Sequence, residues 1–486
     1  MLWGLVLLFA LEGCEVGPDF HTPGTPDAAL ATPQQGGTSA QNFNVGADIE
    51  GDWWALFQNK ALDQMVSTAL TNNPSLTAAQ ETLVQAEETL RAAGGMLAPT
   101  VSFGANVERE KLSAAQLASF GNTAGQSESI PPFTLYGTNF SISYDLDIWG
   151  ESRRYIEQQA AQADYQRDEL EAAYLSLTGN IVTEAVQAAS LRGQIDATNS
   201  IIAAETQLLQ ILQSQQGLGG ASGAQVLQQQ AQLAQSQATL PPLQAALAQT
   251  QNQLTAYQGA LPGGAAPPAV TLDDFTLPQN VPVSLPSAIV AQRPDIRAAE
   301  AQLHAASANV GVVTAQMLPQ ITLTGQVGHS ALTTGTLFTP QSVLWNVAAG
   351  LTQPIFEGGQ LEANRKGAIA AWRGSVAQYQ NVVVTSFQSV ADALAALQYD
   401  ADELTEATAA REAAEQSLQV TTAQFQLGGQ PLTAVLTAQT TYQDAALAEV
   451  KAKAARLSDT AALYVALGGG WWHRKDVREQ CCGVIP

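Results

Sequence analysis

The chain has 486 residues and a net charge of −23, from 20 basic and 43 acidic side chains. This balance excludes a nucleic-acid-binding protein, because too few basic side chains are present to displace the counterions of a phosphate backbone. Apolar residues form 46% of the chain and aromatic residues only 6%, which is typical of long, closely packed helices. The 3 cysteines and 4 scattered histidines indicate neither a disulfide framework nor a metal site.

The N-terminus combines a short apolar run with a cysteine. The run in MLWGLVLLFALEGC is too short to span a bilayer and resembles the apolar part of a secretory signal. LEGC resembles a lipobox, which predicts a signal peptide over residues 1–13 and a lipid on Cys14, followed by a lipid-anchored extended segment over 14–51. No basic residue precedes the run and Glu12 is off-pattern, so a buried cysteine in an uncleaved segment is the alternative.

Helices are predicted next. Trp53, Trp54, Leu56 and Phe57 are expected to begin an amphipathic helix and to lie in the core. A further helix is predicted to begin near Pro74 in NPSLTAAQETL, because proline is favoured in the first helical turn.

Two segments with an apolar–polar alternation follow. TVSFGANV and NFSISYDLDIW predict strands of about 8–11 residues, each with one apolar and one polar face, which suits tilted membrane strands. A polar loop over roughly 108–137 separates the two strands. Asp145 and Asp147 fall on one strand face, where they are either a carboxylate pair for acid–base chemistry or part of a wetted barrel lumen.

A very long helix is predicted after the second strand. No proline occurs between Gly150 and Gly217, and about 66 residues at 1.5 Å each give a rod about 100 Å long. GLGGASG, which follows, lacks the Gly-Lys-Ser/Thr ending of a phosphate loop and is predicted to be a hairpin turn. The return helix over about 221–258 should begin with Ser222 as N-cap and break at Pro241-Pro242.

The second half of the chain repeats this order. RPDIRAAEAQL aligns with NPSLTAAQETL, and GGQPLTAVLTAQ aligns with GGASGAQVLQQQ. Between them lie two predicted strands, QITLTGQV and WNVAAGLTQPI, and a long helix from Gly359 to Gly428; a return helix over about 431–467 follows. Internal repetition at this scale indicates two copies of one structural unit. The predicted divisions are a first repeat (52–262), a Pro/Gly-rich linker (263–283), a second repeat (284–470) and a C-terminal tail (471–486) that contains Cys481 and Cys482.

Four strands per chain cannot close a membrane barrel, because such barrels need about eight strands or more. Open strand edges are not tolerated in lipid, so each chain is predicted to supply a sheet segment to an oligomer. The long helices would then join side by side in the same ring. The predicted object is a membrane β-barrel continued by a long α-helical tube.

Ordered motifs over about residues 11–472 resemble one family. They are CEVGPDF, DWWALF, YDLDIWGESRR, TLPPLQAALAQTQNQL, QRPDIRAAEAQL, PQITLTGQVG, QPIFEGGQL and ALYVALGGGW. They resemble the TolC-like outer membrane efflux proteins, and within them the lipoprotein NodT-type branch of RND tripartite systems. The resemblance implies a mainly α fold with membrane β-structure: a trimeric 12-stranded β-barrel, four strands per chain, continued by a long α-helical barrel in the periplasm.

The same resemblance implies the function of a passive outer-membrane conduit that exports small molecules. The implied partners are two further copies of the chain, a periplasmic adaptor (membrane fusion) protein, an inner-membrane RND transporter and outer-membrane lipid. No cofactor is expected beyond the covalent lipid on Cys14, and no nucleophile–base arrangement indicates an enzyme. Two alternatives remain: an outer-membrane conduit of a type I secretion system, and a lipid-anchored periplasmic coiled-coil scaffold without a pore.

The Gly-Gly turns are the first predicted site. Gly219, Gly220, Gly428 and Gly429 are expected to form adaptor-docking tips, because glycine adopts positive φ and lets another backbone approach closely.

A periplasmic gate is the second predicted site. In the family, the second return helix usually carries an Asp directly after a Val/Leu-Leu pair, whereas here Thr437 follows Val435-Leu436. The resemblance places the gate at this position, and we predict a neutral gate of Leu432, Thr433 and Thr437. An acidic run on the second long helix lines the tunnel or forms a solvated outer face; it comprises Asp400, Asp402, Glu403, Glu406, Glu412 and Glu415.

Overall fold

The computed structural model of the protein describes residues 15–24, 41–111, 131–264, 266–283 and 286–474, without the side chains of 286 and 287. The predicted signal peptide, Cys14, Cys481 and Cys482 lie outside the described residues. The chain divides into two compact units. The sheet unit comprises Met1–Thr22, Val84–Asp164 and Ala301–Ala377, and the helical unit comprises Pro23–Leu83, Tyr165–Glu300 and Gln378–Pro486.

Helices dominate the described part of the chain. They are α1 (Lys60–Asn72), α2 (Pro74–Gly94), α3 (Glu151–Gly217), α4 (Gly223–Ala238), α5 (Leu240–Tyr257), α6 (Pro286–Gln292), α7 (Pro294–Ala315), α8 (Gln360–Gln426) and α9 (Leu432–Ala466). The strands are β1 (Asn42–Val45), β2 (Thr100–Glu110), β3 (Phe133–Leu146), β4 (Asn280–Val283), β5 (Gln320–Ala331) and β6 (Val343–Thr352). None of the described helices has the length and apolarity needed to cross a membrane.

The predicted internal repeat is confirmed by the element order. α2, β2, β3 and α3 of the first half correspond to α7, β5, β6 and α8 of the second. Both long helices contain 67 residues. The single return helix α9 corresponds to α4 and α5 together, which meet at Thr239, next to the predicted break at Pro241-Pro242. A local proline pair thus accounts for the main difference between the two hairpins.

The sheet unit contains an antiparallel four-stranded sheet in the order β2-β3-β5-β6. Its register aligns Phe103, Phe140, Val327 and Trp345 in one row across all four strands. These four side chains are exposed in the single chain, so the alternation produces an apolar face that the chain itself leaves uncovered. β2 and β3 extend further into the predicted loop than expected, because Glu108 still pairs with Leu135 in the ladder.

The position of Asp147 differs from the prediction that it shares a strand face with Asp145. β3 ends at Leu146, and the Asp147 carboxylate accepts hydrogen bonds from the backbone N–H groups of Ser152 and Arg153, both at 3.0 Å. Free N–H groups and the positive end of the helix dipole at the start of α3 favour a carboxylate there. Asp145 stays on the strand and accepts from the Thr322 hydroxyl at 2.7 Å. The two carboxylates therefore do not form a pair on one strand face.

The segment after Cys14 lies against the start of α3, within the sheet unit. The Arg154 side chain is 4% exposed and forms ion pairs at 2.7 Å with Asp19 and Glu157. Its Nε also donates to the carbonyl of Val16 at 3.2 Å. A Cβ on Gly17 would lie 2.5 Å from the Cα of Gly311, so only glycine allows this close approach.

Arg154→Met is expected to loosen this segment. The Glu157 carboxylate and the Val16 carbonyl would each lose a donor, which should lower the free energy of unfolding by about 1–3 kcal/mol. The exposed Asp19 should contribute little to that loss. Thermal unfolding and proteolysis of residues 15–24 would measure the effect. Arg91→Met, which removes an exposed pair with Glu88, is the matched control; equal unfolding midpoints for the two variants would contradict the prediction.

In the helical unit, the segment predicted as linker contains β4, which pairs in parallel with β1. Trp53–Phe57 forms a 3-10 turn rather than the beginning of an amphipathic α-helix, because α1 begins at Lys60. Asn59 caps α1 by accepting from the N–H groups of Ala61 and Leu62. Trp53, Trp54 and Phe57 are buried as predicted.

Candidate functional site

Both Gly-Gly turns have the same hydrogen-bonding pattern, which ties each long helix to the chain that leaves it. The donor–acceptor pairs are Gly220–Gln215, Gly219–Gln216, Gly429–Gln424 and Gly428–Phe425, at 2.8, 3.0, 2.8 and 3.0 Å. Such bonds satisfy the last carbonyl groups of a helix and require a left-handed residue. Gly219 has φ of 78° and Gly428 φ of 76°, so glycine fits both positions without strain.

Two leucines at the turns were missed by the sequence reasoning. Leu218 and Leu427, each directly before the positive-φ glycine, are 89% and 88% exposed. They are equivalent in the repeat, since QGLGG and QLGG align on the glycine pair, and that alignment was the signal that could have identified them. A Cβ at Gly219 or Gly428 would meet nothing within 4 Å. Each turn therefore presents an exposed leucine beside uncovered backbone.

The return helix α4 begins as predicted. The Ser222 hydroxyl accepts from the N–H of Gln225 at 3.3 Å, and the Gln225 side chain accepts from the N–H of Ser222 at 2.7 Å. This capping box fixes the angle at which the chain leaves the first turn.

Behind the turns, an apolar cluster holds the two hairpins together. Its buried members are Leu208, Leu212, Val226, Leu432 and Val435. Leu432 is 2% exposed, so its side chain packs inside the protein and is not available to line a pore. The role that we assigned to Leu432 as a gate residue is therefore corrected.

Thr433 and Thr437 lie on an exposed face of α9. The Thr437 hydroxyl donates to the carbonyl of Thr433 at 2.9 Å, and Thr441 donates to the carbonyl of Thr437 at 3.0 Å. These bonds use the hydroxyl protons of Thr437 and Thr441 within the helix, and the face of Thr433 and Thr437 presents methyl and hydroxyl groups without charge. The neutral gate at Thr433 and Thr437 stays a prediction.

The acidic run on α8 is not uniform. Asp402, Glu403, Glu406 and Glu412 are exposed, whereas Asp400 is buried. Burial, together with the neighbouring Asp459, raises the pKa of Asp400 to about 7.

Arg411 neutralises part of this run. Its guanidinium lies 2.8 Å from Glu415, 2.7 Å from Glu449 and 3.4 Å from Glu412. Asp402, Glu403 and Glu406 are exposed and are not partners of Arg411, so they are the carboxylates of this run best placed to act on solution ions.

A groove of about 380 Å³ runs between α3 and α8, near the turns. Its lining mixes leucine and isoleucine with polar uncharged side chains and includes Leu208, Ile211, Leu418, Thr422 and Gln426. Among the described residues, no group of three or more His, Cys, Asp or Glu side chains is placed to hold a metal ion. The turns present exposed leucine side chains and uncovered backbone, and the groove presents apolar and uncharged polar side chains.

Comparison with known proteins agrees with this architecture over most of the chain. Residues 65–260 and 285–469 match the family model described as outer membrane efflux protein. The chain is 30% identical to the pyoverdine export outer membrane protein OpmQ of Pseudomonas putida over 93% of this chain and 94% of that protein. It is 27% identical to the cation efflux system protein CusC of Escherichia coli over 95% of this chain and 97% of that protein.

A solved structure shares the fold. The outer-membrane channel OprN superposes with a TM-score of 0.85 at 25% identity, covering 94% of this chain and 100% of that chain.

Proposed function

The chain belongs to the outer membrane efflux protein family, and from this premise we propose that three copies form the outer-membrane channel of a tripartite efflux pump. The observation that carries the proposal is the open four-stranded sheet. β2 and β6 lie at its edges, and its apolar face is uncovered. Lipid does not tolerate free strand edges, so β2 of one copy must pair with β6 of the next. Closure with three copies gives about twelve strands, a number known for membrane barrels.

The hairpin turns are the proposed contact with a periplasmic adaptor. Leu218 and Leu427 would supply apolar contact, and Gly219, Gly220, Gly428 and Gly429 would allow close backbone approach. The adaptor would in turn connect the channel to an inner-membrane RND transporter. In this arrangement the channel is a passive conduit and not an enzyme. Two relatives are named for different cargoes, pyoverdine in one case and cations in the other. This difference fits a channel whose pump selects the substrate.

A lipid on Cys14 remains part of the proposal. The docking of Glu15 and Val16 at the start of α3 supports it, because these residues directly follow Cys14 in the sequence and lie beside the segment between β3 and α3. Incorporation of labelled palmitate that is lost in Cys14→Ser would test the lipid.

The channel itself is tested by assembly and conductance. The protein from the outer-membrane fraction should run as a trimer on gels, dissociate on boiling, and give single-channel currents in planar bilayers. A monomer without conductance that becomes soluble once the lipid is removed would instead support the periplasmic scaffold. A conducting trimer needed for protein secretion rather than small-molecule efflux would support the type I secretion conduit.

A further inference from the structure

Charged side chains are segregated between the two faces of the four-stranded sheet. In β2, alternation places Val107 and Arg109 on the apolar face and Glu108 and Glu110 on the polar face. Among the described strands of this sheet, Arg109 is the only Asp, Glu, Lys or Arg on the apolar face. The acids Glu108, Glu110 and Asp145 all lie on the other face. Within these four described strands, the apolar face therefore carries one positive charge per copy and no negative charge.

Arg109 lies at the end of the sheet opposite to the end at which β2 follows α2 and β3 leads into α3. In the strand ladder Arg109 pairs with Thr134, and the last apolar pair on the same face, Val107 with Tyr136, precedes it by two positions along β2. Arg109 lies eight positions after Val101, which corresponds to about 20 Å along the barrel axis for a strand tilted by about 40°. An apolar band is about 25 Å tall, so Arg109 lies near its edge. With the helices in the periplasm, this edge is the outer leaflet.

The surroundings favour an external anion. Lys111 follows the strand directly and is exposed, as is Arg109. Neither side chain forms an ion pair within the part of the chain that the structure describes, whereas several other basic residues do. The paired basic residues include Arg91, Arg153, Arg154, Arg293, Arg411 and Arg474. In a chain with a net charge of −23, two basic side chains at the lipid edge that have no ion pair with a described residue are unusual.

We propose that Arg109 and Lys111 bind the phosphate groups of anionic glycolipids in the outer leaflet, at one site per copy around the barrel rim. A guanidinium matches two phosphate oxygens, and the ammonium of lysine adds a second charge. Thr134 places a hydroxyl beside Arg109, and Tyr136 lies where aromatic side chains mark a membrane interface. The acids face the lumen, so they do not repel the glycolipid. The proposal rests on the outer-membrane placement given above.

Binding of bisphosphorylated lipid A to the purified trimer in detergent tests the site. We expect the Arg109→Gln, Lys111→Gln double variant to bind it about thirty-fold more weakly than the wild type. Glu108→Gln is the matched control, because it neutralises the neighbouring residue on the opposite face, and it should bind like the wild type. Dephosphorylated lipid A should bind all three proteins with the same low affinity.

Equal affinity of the wild type and the double variant for bisphosphorylated lipid A would overturn the proposal. Displacement of the glycolipid by millimolar inorganic phosphate would also overturn it, since the site would then recognise free anions. Conductance in bilayers without anionic lipid should be the same for the wild type and the double variant. Absence of conductance in the wild type would instead refute the channel, so the two failures are distinguishable.

Discussion

Tryptophan at both hairpin turns is expected to abolish efflux while the channel stays assembled. Gly219 and Gly428 have positive φ, and a side chain there costs about 1–2 kcal/mol at each position. That cost is local, because a Cβ at either glycine would meet no other atom within 4 Å. The indole groups would, however, cover the backbone that the adaptor is proposed to approach. Docking should fail even though the trimer is intact.

The measurement compares cells that contain the cognate adaptor and pump. The Gly219→Trp, Gly428→Trp double variant should be as sensitive to pump substrates as cells without the channel. Gly46→Trp is the matched control, since Gly46 also has positive φ (81°) and open space around it but lies outside the turns. It should keep wild-type efflux. Wild-type efflux in the double variant, with trimers of normal abundance, would remove the turns from the docking surface.

Features set by local periodicity could be predicted from the sequence. The alternation of NFSISYDL and the proline-free run after Gly150 determine β3 and α3 through short-range geometry. The bounds of α3 are predicted closely, whereas β3 begins and ends earlier in the chain than the predicted segment. The repeat added independent support, because each element was seen twice. The pairing of β1 with β4 was not predicted, since the two strands are far apart in the chain and each contains only four residues.

The two errors have different physical origins. Asp147 continues the strand alternation in sequence, but the free N–H groups at the start of α3 bind it more strongly than a strand face would. Leu432 and Thr433 are neighbours in sequence, yet successive helix positions are rotated by about 100°, so one is buried and the other exposed. Which face of α9 is buried depends on Leu208 and Leu212 of α3, and the sequence does not reveal that contact.

The corrected face of α9 sharpens the prediction for the gate. Thr433 and Thr437 are exposed and uncharged, so three copies would form a ring without carboxylates. Such a ring offers little to a divalent cation, because nothing replaces the hydration shell of the ion. Single-channel conductance of the wild type should therefore change little when Mg²⁺ or Ca²⁺ is added on the periplasmic side.

Thr437→Asp should create sensitivity to divalent cations. Thr437 is exposed, so the substitution adds a carboxylate without disturbing the apolar cluster, and three copies would form an acidic ring. Weak carboxylate sites bind Ca²⁺ at about 0.1–1 mM, and block is expected in that range. Gln228→Asp, at the equivalent exposed position of the first hairpin, is the matched control. Equal block of the two variants by divalent cations would show that the second hairpin contributes no more to the gate than the first. Strong block of the wild type would refute the neutral gate, and Asp402, Glu403 and Glu406 would become the candidate ligands, because all three are exposed carboxylates on α8.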